Sequence, residues 1–104
     1  MKGFGNIMKE AQKLQQQMEA MQAEVAQKKV EATAGGGMVT VQANGKQELI
    51  AIKIDPEVIS KDDAQMLEDL VLAACNEALR KSRELVQQEL TKLTGGMKIP
   101  GLGM

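Results

Sequence analysis

The sequence predicts an α+β subunit of order α-β-β-β-α, a three-stranded antiparallel meander set between two long helices. Three observations predict it. Apolar residues near the N-terminus recur at alternating spacings of three and four, the middle of the chain alternates apolar and polar residues between glycine breaks, and residues 61 to 94 contain neither Pro nor Gly. That last segment would form a rod of roughly 50 Å at 1.5 Å per residue, whereas a compact chain of this size has a radius of gyration of only about 13 Å. A helix that overhangs its own core needs another chain or another molecule to cover its apolar stripe. The chain therefore reads as a subunit of an oligomer with projecting helical arms.

The first helix is expected from residue 4 to residue 27. Phe4, Ile7, Ala11, Leu14, Met18, Met21 and Val25 form the a/d seam of a helix that packs against another helix, and Gln, at positions 12, 15, 16, 17, 22 and 27, is the commonest residue off the seam. The Met residues belong to that packing and not to a ligand site. From Lys29 to Ala34 the chain alternates as a strand. Gly35-Gly36-Gly37 breaks it, and Met38 to Ala43 alternates again. Asn44-Gly45 then predicts a type I′ hairpin with two positive φ angles, and Leu49 to Ile54 completes the meander. Val39 and Val41, with Ile50, Ile52 and Ile54, are expected to give one apolar face that the helices cover. Asp55-Pro56 ends the third strand, and Ser60 with Asp63 resembles a capping box opening the second helix. The acidic cluster of Asp62, Asp63, Glu68 and Asp69 favours the positive end of that helix dipole and is read as helix stabilisation, not as a metal site. The first half of the helix, with Met66, Leu67, Leu70, Val71, Ala73, Ala74, Cys75 and Ala78, is apolar around much of its circumference, as expected of a buried segment. Beyond Leu79 the stripe narrows to Leu79, Val86, Leu90 and Leu93, as in an arm that touches one neighbour. Gly95-Gly96 stops the helix. A single domain over residues 1–96 is expected, followed by a flexible tail over 97–104.

Composition narrows the chemistry. Phe4 is the only aromatic residue and there is no His, which removes aromatic stacking platforms and the usual proton shuttle. Cys75 is alone, so it has no intrachain disulfide partner, and as a nucleophile it would lack a histidine base. Asp62 and Asp63 are adjacent and diverge by about 100° on a helix, so they do not converge on a substrate. Gly35-Gly36-Gly37 leads into a strand and not a helix, which argues against a phosphate cradle. No signal peptide and no membrane span is read from the sequence, and no catalytic residue, cofactor or metal is expected. The formal charge is −1, yet residues 1–29 carry five Lys against three Glu, residues 55–69 one Lys against six acids, and residues 80–104 five basic residues against two Glu. From charge alone these blocks read as ordinary solvated helix faces, the alternative being that they steer a polyanion toward the arms and away from the body.

These residues together resemble the YbaB/EbfC family of small bacterial nucleoid-associated proteins, over nearly the whole chain. The resemblance is carried by Gly5-Asn6-Ile7-Met8-Lys9-Glu10-Ala11-Gln12, Ala34-Gly35-Gly36-Gly37-Met38-Val39-Thr40-Val41, Asn44-Gly45 and Ile52-Lys53-Ile54-Asp55-Pro56. It continues through Met66-Leu67-Glu68-Asp69-Leu70, Ala73-Ala74-Cys75-Asn76-Glu77-Ala78 and Gly95-Gly96-Met97-Lys98-Ile99-Pro100-Gly101. It implies a tweezer-shaped homodimer with helical arms projecting from a joined β body, and binding to double-stranded DNA in the cytoplasmic nucleoid. By chemistry and position, the expected DNA-contacting residues are Lys2, Lys9 and Lys13 on the first helix and Arg80, Lys81, Arg83 and Lys92 on the second. Lys28 and Lys29 sit nearer the sheet. A rival reading makes the chain an interaction module whose arms bind a protein partner, such as a repair or replication component, with no direct role on DNA.

Overall fold

A computed structural model describes residues 2–95, with the side chain of Lys2 outside the description. The element order is α1 (Lys2–Gln27), β1 (Lys29–Ala34), β2 (Val39–Asn44), β3 (Leu49–Ile54) and α2 (Ala64–Leu93), with two single 3₁₀ turns at Pro56–Val58 and Lys61–Asp63. This is the expected α-β-β-β-α, α+β order. The tail expected at 97–104 lies outside the described residues, as does Gly96.

The strands form one antiparallel sheet in the order β1-β2-β3. The β1–β2 connection needs its glycines, because Gly35, Gly36 and Gly37 take φ angles of 64°, 68° and 95°, a region that side-chain-bearing residues adopt at a cost. The β2–β3 connection differs from the type I′ turn expected at Asn44-Gly45. The positive φ falls on Gln47, at 63°, Gln47 N–H donates to the Asn44 carbonyl at 3.1 Å, and Asn44 N–H to the Glu48 carbonyl at 3.0 Å. The loop is thus three residues long with a left-handed third residue, and one extra residue of β3 bulges opposite Gln42 and Ala43. Asn44 organises it, its Oδ1 accepting from the N–H groups of Lys46 and Glu48. Gly45 serves another purpose. Its N–H donates to the Val25 carbonyl at 2.9 Å, and a Cβ placed there would lie 2.7 Å from the Val25 Cβ and closer still to the Val25 carbonyl oxygen. Glycine is required because the loop presses against the end of α1.

The capping at α2 is also rearranged. Ser60 accepts from Asp62 N–H and caps the short turn, while Asp63 itself is the N-cap of α2, accepting from Met66 N–H at 3.1 Å. Gly95, with φ 67°, closes the far end, its N–H donating to the Lys92 carbonyl.

The core lies between α2 and the first two strands. Val39, Val41 and Ala43 of β2 and Ala32 of β1 are buried against Ala74 and Ala78 of α2, and the small residues on both sides let helix and sheet approach closely. Burial of each Val contributes roughly 1.5–3 kcal/mol. The helices do not cover β3 as expected. Leu49, Ile50 and Ile52 remain 42–49% exposed and only Ile54 is half-buried, because α2 lies over β1 and β2 and barely reaches β3. The first half of α2 is likewise only partly covered, with Leu72 61% exposed and Cys75 half-buried.

Candidate nucleic-acid interface

The subunit measures 73 × 26 × 16 Å with a radius of gyration of 19.6 Å, well above the roughly 13 Å of a compact chain of this length. The excess length is the arm. The C-terminal half of α1 runs antiparallel to the C-terminal half of α2: Lys28 pairs with Glu89, and Gln17, Ala20, Met21 and Glu24 share an open groove of about 310 Å³ with Glu89, Lys92 and Leu93. Met21 and Val25 are buried there. Beyond the end of α2 nothing among the described residues covers the seam of α1, and Phe4, Ile7 and Leu14 are 64%, 64% and 47% exposed.

The cations expected to meet phosphate fall into distinct settings. Lys9 and Lys13 are exposed on the overhanging part of α1 and make no ion pair among the described residues. Arg83 is exposed and equally unengaged. Arg80 is held by two carboxylates, Glu77 one turn before it and Glu84 one turn after, with Nη1 2.8 Å from the Glu84 carboxylate. Hydrogen bonding to Arg80, and secondarily its charge, lowers the Glu77 pKa below the ordinary carboxylate value, and the same contacts raise that of Arg80. Lys81 turns inward, donating from Nζ to the Glu31 carbonyl of β1 at 2.8 Å. Lys92 is 74% exposed and stands 3.5 Å from Glu89. The helical rotation of 100° per residue separates Lys81, toward the sheet, from Arg83, on the outer face. Arg80, Lys81 and Arg83, adjacent in sequence, are therefore not one surface. Of the cations nearer the sheet, Lys29 is exposed. The Lys28 Nζ donates to Glu89 Oε1 at 2.7 Å, with Glu24 at 3.5 Å. That hydrogen bond raises the Lys28 pKa and lowers that of Glu89, whose side chain is only 11% exposed. The side chain of Lys2 lies outside the description.

Two positioning features were missed from the sequence. Ser82 is fully buried between α2 and the β2–β3 loop, its Oγ donating to the Asn44 carbonyl at 2.6 Å and accepting from Gln47 N–H at 3.1 Å. Its signal was a lone hydroxyl continuing the every-fourth-residue stripe of Ala74 and Ala78. The clamp on Arg80 was legible as acids three before and four after an arginine on a helix.

A family model described as the YbaB/EbfC DNA-binding family matches residues 1–97. A nucleoid-associated protein of Thermoanaerobacter pseudethanolicus is 56% identical over 99 residues, covering 95% of this chain and 89% of the relative. One from Clostridium botulinum is 57% identical, covering 95% and 88%. The crystal structure of an uncharacterized protein from Helicobacter pylori superposes with a TM-score of 0.78 over 88% of this chain and 97% of that one, at 20% identity, and so shares the fold.

Proposed function

The chain belongs to the YbaB/EbfC DNA-binding family, and from that premise we propose that it is a non-enzymatic, nucleoid-associated protein of the cytoplasm that grips double-stranded DNA as a homodimer. Phosphate contacts from the arms supply the affinity. The observation that carries this reading is the setting of Lys9 and Lys13 on the overhanging part of α1 and of Arg83 on α2 beside the β2–β3 loop, three exposed cations without ion-pair partners among the described residues of a chain in that family. Lys92 adds a partly shared charge, while Arg80 and Lys81 would have to leave Glu77, Glu84 and the Glu31 carbonyl before meeting DNA.

A dimer of −1 chains carries −2, so attraction to duplex has to be local. The acids between residues 55 and 69 turn DNA away from the turn after β3 and the start of α2, leaving the arms as the favoured approach. Dimerisation is supported by β3, an edge strand with Leu49, Ile50 and Ile52 in the open. Exposed apolar edges of that kind are an association hazard unless another chain covers them.

The test is titration of duplexes of unrelated sequence at several salt concentrations, with sedimentation of the free protein. A dimer presents two copies of each of these three cations, six in all. If all meet phosphate, log affinity falls against log salt with a slope of about −5. Replacing Lys9, Lys13 and Arg83 by Ala should weaken binding by a similar factor for every sequence, because phosphate contacts position without reading bases. Unchanged affinity and slope in that variant would remove these residues from the interface and turn the reading toward a protein partner.

A further inference from the structure

The a/d seam of α1 is one continuous feature that, among the described residues, is packed over only half its length. Its inner part, from Met18 to Val25, packs against α2, which runs antiparallel to it and ends at Leu93 opposite Gln17 and Met21. Its outer part, Phe4, Ile7, Ala11 and Leu14, continues with the same spacing past the end of α2 and is exposed at every position. We propose that this outer seam pairs antiparallel with the same segment of a second copy, so that arms of separate dimers join end to end.

The geometry of the seam selects a second copy as its occupant. The inner half already accepts an antiparallel helix, so the outer half, carrying the same repeat, offers the same kind of groove in continuity with it. The segment is also complementary to its own reverse. Turned end for end about Lys9, it sets Phe4 opposite Leu14 and Ile7 opposite Ala11, each layer matching an a position with a d position. The middle layers pair a large residue with a small one, and the outer layers pair two large ones. Beside the seam, Met8, 47% exposed, meets its own counterpart. On the other side Glu10 meets Glu10, an exposed like-charge contact that salt screens. Lys9 and Lys13 fall at the f and c positions, away from the seam, so pairing leaves both free.

Two heptads make a weak contact, since short helical pairs are marginal in water. Dimers that stand side by side on DNA raise the effective concentration of neighbouring arms, and a weak contact repeated along a strand then becomes cooperative. This last step rests on the DNA reading above, and the joining of dimers on the homodimer proposed with it; the pairing of two outer seams rests on neither.

Trapping tests the pairing without DNA. In a Cys75→Ala background, chains carrying Ile7→Cys are mixed with chains carrying Ala11→Cys and oxidised mildly, each variant alone serving as control. The antiparallel register puts these two positions in one layer, so the mixture should form the cross-linked species several-fold faster than either variant alone. Sedimentation of the unmodified protein should show assemblies larger than the dimer as concentration rises, and more of them as salt rises, opposite to the salt dependence of phosphate binding. Ile7→Glu with Leu14→Glu should abolish those assemblies and keep the dimer. On a long duplex that variant should lose cooperativity, while its affinity for a duplex holding one dimer stays within about twofold of the parent at matched salt, a residual that the two added carboxylates account for. Equal cross-linking in mixture and controls, or a single dimeric species at every concentration, would overturn the proposal. So would a marked loss of thermal stability in the Glu variant, because the seam would then be covered within its own dimer. If duplex binding itself fails while trapping succeeds, the DNA reading falls and the pairing stands.

Discussion

Replacing Ser82 by Ala isolates the contact that joins α2 to the β2–β3 loop. The hydroxyl is buried and makes two hydrogen bonds, one to the Asn44 carbonyl and one from the Gln47 amide. Losing both partners outright would leave two buried polar groups unsatisfied, but Gln47 N–H also donates to the Asn44 carbonyl at 3.1 Å. Neither group is therefore orphaned, and the cost reduces to two net hydrogen bonds, roughly 0.5–1.5 kcal/mol each, or about 2 kcal/mol together. For a chain near 100 residues that corresponds to a fall in Tm of roughly 10 °C. The assay is denaturant unfolding at fixed protein concentration, because an oligomer's midpoint shifts with concentration. An unchanged m-value would show that stability, and not compactness, has moved. Thr91→Ala, which removes an exposed bond to the Gln87 carbonyl of its own helix, serves as control and should cost under about 0.5 kcal/mol. A Ser82→Ala variant indistinguishable from that control would refute the view that the hydroxyl clamps the loop.

Gly45→Ala should destabilise by about 1–3 kcal/mol, as a methyl group with no room forces the loop away from Val25; thermal melting checks this, and a neutral change would show that the approach is soft. Acid should weaken the junction of the two helices. Glu89 has its pKa lowered by the Lys28 hydrogen bond, so its contribution is complete above the ordinary carboxylate value of 4.5 and is lost as pH falls from there through the depressed value. Glu89→Gln should be less stable than the parent at pH 7 and converge with it at the acid end, and parallel stability curves would contradict the assignment. Arg83→Ala should flatten the salt dependence of duplex binding by up to about 1.8 in a dimer, at 0.9 per contact. Arg80→Ala should leave it nearly unchanged, because Glu77 and Glu84 already neutralise that guanidinium; equal effects in the two titrations would mean that the clamp opens on DNA.

The sequence by itself determined the element order, the bounds of β1 and β3, and the two long helices, because these follow from periodicity and from Gly and Pro, which act through local backbone sterics. It determined that the arms would outrun the core, since helix length per residue is fixed. The identity of the seam in α1 was equally legible, but which half of it is covered was not; that depends on where α2 stops along α1. Three further matters were decided only by tertiary structure. Gly45 is glycine because α1 presses on it and not because of its φ angle, a long-range contact that the Asn-Gly dipeptide imitates. Ile50 and Ile52 stay open because α2 settles over β1 and β2, and alternation tells which face of a strand is apolar but not whether anything covers it. Arg80, Lys81 and Arg83 share a stretch of sequence and a sign, yet helical rotation and the placement of Glu77, Glu84 and the Glu31 carbonyl separate them into a clamped, an inward and a free cation. Charge is a property of the residue, whereas its availability to a phosphate is set by the neighbours that folding brings within reach.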